Sequence, residues 1–257
     1  MKVEIKQIEL PAVEAELPVV GLYDGGALPS AIADAAGAGD AKGGFKKLSM
    51  LHPDTPGRVL VVGLGKRDEV DAERLRVAAA VAAKEAGRLE AASLVWALPD
   101  SDDDGAAAEA IVTGTILGSY RFDRFKRNDP EDPPAPRLES LTLLGPAELA
   151  AAAETARVCA EAQNRARDLQ STPANFATPA FLAARAEEIA AGADEITVEV
   201  LGRDEMTANG MGGMVAVSQG SAQEPRLIVL RYSGGGAGNG PTLGLVGKGV
   251  TFDTGGI

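Results

Sequence analysis

Lys248 and Asp253 are the residues of this 257-residue sequence whose types and spacing most suggest chemistry. They stand in LGLVGKGVTFDTGGI, residues 243–257, where an apolar run that reads as a strand delivers a lysine and, five residues later, an aspartate followed by a glycine pair. A lysine at the end of a buried strand is costly while charged. It must pair with an acid or give up its proton. A nearby divalent cation favours the second outcome by repelling the ammonium and binding the free amine, and Asp253 offers the matching hard oxygen. Gly247, Gly249, Gly255 and Gly256 leave room for the backbone to approach an ion or a substrate. Spacing alone leaves two readings open, a Lys–Asp ion pair and a metal site.

The other candidates weaken when weighed against plainer roles. Cys159 is the only cysteine, so no internal disulfide can form, and His52 is the only imidazole. Cys159 lies in an Ala-rich helical stretch and reads as a packed structural thiol; His52, in the turn-rich LHPDTPG, reads as a loop residue. A zinc site of the His/Cys type cannot be assembled from one of each. VVGLGKRDEVDAERL suggests a dinucleotide turn, but Asp68 stands where the third glycine belongs, and its carboxylate would repel a pyrophosphate. VGKG fails as a phosphate loop, because Gly249 follows Lys248 where Ser or Thr is required and position 242 is leucine. Asp71 and Glu73 are two apart on a predicted helix and point in different directions, so stabilising the helix N-terminus accounts for them.

The elements that must position Lys248 and Asp253 follow an alternating pattern. RVLVVGLG at residues 58–65 reads as a buried strand, and residues 71–91 as a helix with Asp71 at its start. SLVWAL is a strand, and the acidic run at residues 100–104 a solvated turn. A helix follows through GAAAEAIVTGTILG, then a proline-rich loop at residues 128–137, then the strand SLTLLG. With VEIKQIEL opening as a strand, residues 1–146 form an N-terminal α/β domain with a mixed sheet. An Ala-rich linker helix from residue 146 to 169 begins the second unit, residues 147–257. That unit continues with a helix at residues 178–193, capped by Thr178 with Pro179 at its first position, and with three neighbouring strands opening at Ile196, Pro225 and Pro241. The net charge of −12 argues against nucleic acid and anionic membrane surfaces as partners. No run is long and apolar enough to span a bilayer, so the sequence reads as soluble and cytoplasmic.

Three blocks resemble the leucyl aminopeptidases, also called cytosol aminopeptidases. VGKGVTFDTGG matches their VGKGxTFDSGG signature, with Thr254 in place of serine and the hydroxyl retained. ARDLQSTPANFATPAFLA at residues 166–183 resembles RDLxNxPxNxxTPxxLA, and GMGGMVAVSQGSAQEPRLIVLRY at residues 210–232 resembles GMGxxxAVxxGSxxPPRLIxLxY. The resemblance implies a truncated α/β metallo-aminopeptidase catalytic domain after the first domain, with Lys248 and Asp253 as ligands of two divalent ions, manganese or zinc. It implies release of N-terminal amino acids from peptide substrates and assembly into a homo-oligomer, a hexamer in the family. It also implies two more aspartates, a glutamate, a second lysine and a bicarbonate-holding arginine. None of these is present: the NTDAEGR block is absent and the sequence ends at Ile257 before the second lysine is due. The expectation is therefore an incomplete, inactive part of an aminopeptidase, with LIVL and LGLVG facing water; a non-catalytic α/β assembly or binding protein is the alternative.

Overall fold

The computed structural model describes residues 1–12, 14–126, 136–234 and 240–252, and the chain divides into two compact units, Met1–Arg167 and Asp168–Ile257. In the first unit β1 (Lys2–Lys6), β2 (Leu17–Tyr23), β3 (Leu48–Leu51), β4 (Val59–Gly65), β5 (Ser93–Ala97) and β6 (Ser140–Leu144) form one six-stranded sheet in the order β1-β6-β5-β2-β4-β3. All neighbours are parallel except β3, which runs antiparallel to β4 at the edge. The mixed α/β sheet expected from the alternating pattern is the one observed.

β4 shows why the sheet holds. Its seven residues are all buried, as a parallel strand covered on both faces requires. Leu60, Val62 and Leu64 join the core beneath the helices, while Val59 and Val61 join a second core on the opposite face. The helical layer contains α1 (Ala72–Arg88), α2 (Asp104–Gly118) and α3 (Ala150–Ser171). Asp71 accepts a hydrogen bond from the Arg74 amide at 2.8 Å, and Asp103 accepts one from the Ala106 amide at 2.9 Å. One end of the acidic run is thus a helix cap, a role the solvated-turn reading missed. The two helices approach through small residues: a Cβ at Gly114 would lie 2.1 Å from the Arg76 carbonyl oxygen. On α3, Ala153, Ala156 and Ala160 form the stripe that enters the first core. Cys159 lies one position off that stripe and is exposed, which corrects its reading as a packed thiol.

Two strands were absent from the sequence reading. β2 lies at the centre of the sheet between β4 and β5, yet its Pro18 reads as a break; β3 has only four residues beside a lysine pair.

The second unit contains α4 (Pro179–Ala191), β7 (Ile196–Leu201), α5 (Arg203–Ala208), α6 (Gly212–Val217) and β8 (Leu227–Tyr232). β7 and β8 pair antiparallel in a two-stranded sheet, with Ile196 opposite Tyr232 and Leu201 opposite Leu227. The third expected strand is not there: residues 241–250 carry no strand assignment. An extended run becomes a strand only when a neighbour takes its amides and carbonyls and a layer covers its side chains. Among the described residues neither meets this segment, and Leu243, Leu245 and Val246 are 83%, 90% and 102% exposed.

Candidate metal centre

The three blocks that carry the resemblance have different structural roles. The block at residues 166–183 closes α3, turns and opens α4. The Thr172 hydroxyl donates to the Asp168 carbonyl at 2.6 Å, and the Phe176 and Ala177 amides both donate to the Pro173 carbonyl at 2.8 Å. Thr178 caps α4 by accepting from the Phe181 amide at 3.3 Å, and Pro179 occupies the first turn, where its missing N–H costs nothing. Arg167 belongs to the first unit. It stacks 3.8 Å over the Tyr120 ring and donates to the Leu117 carbonyl at 3.1 Å, while Asn164 donates to the Ile116 carbonyl at 3.1 Å. These two side chains satisfy carbonyls that the C-terminal end of α2 leaves unpaired.

The block at residues 210–232 is likewise scaffold. Gly210, at φ +69°, adopts the left-handed conformation after α5, and the chain then forms α6 and β8. Leu227, Ile228 and Val229 are half-buried, and Leu230 is exposed.

Only the third block holds the expected ligands. Lys248 is exposed, in a stretch without strand pairing, and no carboxylate among the described residues forms an ion pair with it. The buried strand end from which its role was argued is therefore corrected. The amine faces open surroundings, and a Cβ at Gly247 would meet nothing within 4 Å. Asp253, Gly255 and Gly256 lie outside the described residues. Among the described residues, no three His, Cys, Asp or Glu side chains gather in a group able to hold a metal ion, and no helix is long and apolar enough to cross a membrane. An amine joined by a carboxylate is a donor set that suits a borderline or hard divalent cation, so the residue types fit the group even though the structure places only the amine.

The glycine turn that resembles a dinucleotide loop is filled by the chain itself. Gly65, at φ +89°, ends β4, and its amide donates to the Gly43 carbonyl at 2.8 Å. A Cβ at Gly63 would lie 2.0 Å from the Gly44 carbonyl oxygen. These glycines admit a neighbouring loop where a pyrophosphate would need the space.

Comparison with known proteins agrees with the three blocks. Residues 15–129 match the model of the cytosol aminopeptidase family's N-terminal domain, and residues 164–257 that of its catalytic domain. The chain is 39% identical over its whole length to the "Probable cytosol aminopeptidase" of Roseiflexus castenholzii, covering 54% of that protein. It is 44% identical to that of Geobacter sp. over 78% of this chain and 41% of the relative. Among solved structures, a mutant of tomato leucine aminopeptidase superposes with a TM-score of 0.80 at 25% identity, over 99% of this chain and 55% of that one. The bottromycin maturation enzyme BotP in complex with Mn gives 0.72 at 27% identity, over 84% and 45%. The chain spans about half the length of the curated relatives it matches. With both family domains matched in order, the chain belongs to the cytosol aminopeptidase family.

Proposed function

We propose that Lys248 and Asp253 are ligands of two divalent ions, manganese or zinc, in an aminopeptidase that releases N-terminal amino acids from peptides. The reading extends to a cytoplasmic homo-oligomer, hexameric as the family resemblance implies. The observation that carries it is the VGKGVTFDTGG block itself, a lysine and an aspartate in the family's catalytic-domain match, with Lys248 free of any ion pair among the described residues. When bound, the ions would polarise the peptide carbonyl and activate water. The chain's own residues would contribute the amine of Lys248 and the carboxylate of Asp253, with glycines on both sides leaving the substrate backbone unobstructed.

We also propose that the 257-residue chain is inactive by itself, because two ligands leave each ion mostly solvated and weakly held. The second reading, an α/β assembly or binding protein without a complete metal site, draws on the lack of a three-ligand cluster among the described residues. Calorimetric titration with Mn²⁺ or Zn²⁺, combined with hydrolysis of a leucine anilide, tests both readings. The expected result is weak metal binding, reduced further by Lys248→Ala and by Asp253→Asn, with no hydrolysis. Metal binding indifferent to both substitutions would remove the metal-ligand reading. Metal-dependent hydrolysis by the purified chain would overturn its proposed inactivity.

A further inference from the structure

The six-stranded sheet has two edges, and they differ. At the β3 edge the His52 amide donates to the Ala36 carbonyl at 3.1 Å, and Gly37 lies so close that a Cβ there would be 3.1 Å from the Met50 carbonyl oxygen. The chain itself closes that edge at Met50 and His52. At the other end of the sheet β1 pairs with β6 alone. The Lys2 amide donates to the Glu139 carbonyl at 2.8 Å and the Gly145 amide donates to the Lys6 carbonyl at 3.1 Å, so the parallel ladder takes up the backbone of Lys2, Glu4 and Lys6. Val3 and Ile5 turn their amides and carbonyls outward, and among the described residues these groups have no hydrogen-bond partner.

The side chains of β1 alternate with its backbone. Val3 and Ile5 pack against the core beneath the helices. Lys2, Glu4 and Lys6 occupy the opposite face, where the Glu4 carboxylate lies 2.6 Å from the Lys2 ammonium and 3.6 Å from that of Lys6. An edge guarded by lysines alone repels a copy of itself in every register. The order Lys, Glu, Lys does not. Antiparallel pairing about a two-fold axis at Glu4 would oppose Glu4 to Glu4 and Lys2 to Lys6. With the axis at Ile5, each Glu4 faces the second copy's Lys6, Ile5 meets Ile5 on the apolar face, and Val3 pairs with Gln7. An axis at Val3 also opposes unlike charges, Lys2 to Glu4, but the overlap then ends at Met1, whose ammonium is held by Glu161 at 2.9 Å.

We propose that β1 is a self-association edge: two copies of this chain join antiparallel through Val3, Ile5 and Gln7 about a two-fold axis at Ile5, so that their sheets become continuous. The contact requires neither the metal site nor a hexamer. Sedimentation of the 257-residue chain over a concentration series tests it, at physiological salt where the net charge of −12 is screened beyond about 8 Å. The expected result is a concentration-dependent dimer in which the Val3 and Ile5 amides become protected from exchange. Ile5→Pro removes an outward amide and no ladder bond, so it should abolish the dimer and keep the unfolding midpoint read from Trp96 fluorescence. Glu4→Lys alone and Lys6→Glu alone each set like charges opposite twice and should weaken the dimer about tenfold. The double variant Glu4→Lys/Lys6→Glu should restore it, which a merely structural role of these side chains would not produce, whereas Lys2→Glu/Glu4→Lys should not. A chain that stays monomeric at every concentration, association without protection of the Val3 and Ile5 amides, or failure of the Glu4/Lys6 exchange to restore the dimer would overturn the proposal.

Discussion

Two short stretches of this chain are close to the same sequence and meet opposite fates. VVGLGK, residues 61–66, and LGLVGK, residues 243–248, are both apolar runs broken by glycine and ended by lysine. Val61, Val62 and Leu64 are 0% exposed, while Leu245 and Val246 are 90% and 102% exposed. The first run has β2 and β3 on its two edges and side chains from α1 beneath it. The second has neither neighbour nor cover among the described residues. Local apolar character marks where a strand is possible, and the partner decides whether it exists.

Substituting into each run breaks or sharpens that contrast. Val62→Asp puts an unpaired carboxylate into the first core and should abolish the cooperative unfolding transition of the first unit, a loss of more than about 4 kcal/mol. Leu245→Asp should change stability by less than about 0.5 kcal/mol. Urea unfolding followed by fluorescence of the single, fully buried Trp96 and by circular dichroism reads both. Similar losses in the two variants would show that the second run is covered after all.

A smaller contrast lies in the glycines. Gly63→Ala forces a methyl group to within 2.0 Å of the Gly44 carbonyl oxygen, so the loop that crosses β4 must shift, at about 2–3 kcal/mol. Gly247→Ala meets nothing within 4 Å and should be neutral or stabilise by a few tenths of a kcal/mol through the unfolded chain. The same denaturation measurement separates them, and a destabilising Gly247→Ala would contradict the open surroundings.

The smallest effect is electrostatic. The hydrogen bond from Arg88 holds the Glu85 carboxyl below its ordinary value of 4.5, and the pair's attraction acts in the same direction against partial burial. A carboxyl with a lowered value in the folded state stabilises above its unfolded value and loses that contribution as the pH falls through the folded one. Arg88 is largely exposed, so screening limits the contribution to a few tenths of a kcal/mol. Glu85→Gln should therefore unfold slightly earlier than the parent at pH 7 and together with it well below pH 4.5. A difference that persists in acid would show that packing, not the ion pair, is responsible.

Much of the fold was legible because its signals are local. Asp71 before an Ala-rich periodic run and Thr178-Pro179 before another mark helix starts through bonds made within three residues, and both caps are present. β4 and β5 were readable as apolar runs. β2 was not, since Pro18 punctuates it and its place at the centre of the sheet depends on β4 and β5 arriving on either side. For the candidate site, the residue types of Lys248 and Asp253 and their glycine surroundings were readable from one segment.

What the sequence determined by itself, then, is the alternation of elements, the helix caps and the family membership carried by three ordered blocks, because each is encoded in neighbouring residues. Tertiary structure alone decided that β2 is central, that Gly63 and Gly65 make room for residues 43 and 44, that Arg167 satisfies the end of α2, and that residues 241–250 find no strand partner among the described residues. Those outcomes depend on backbone groups and apolar surfaces contributed from distant parts of the chain, and no local pattern specifies a partner that is remote in sequence.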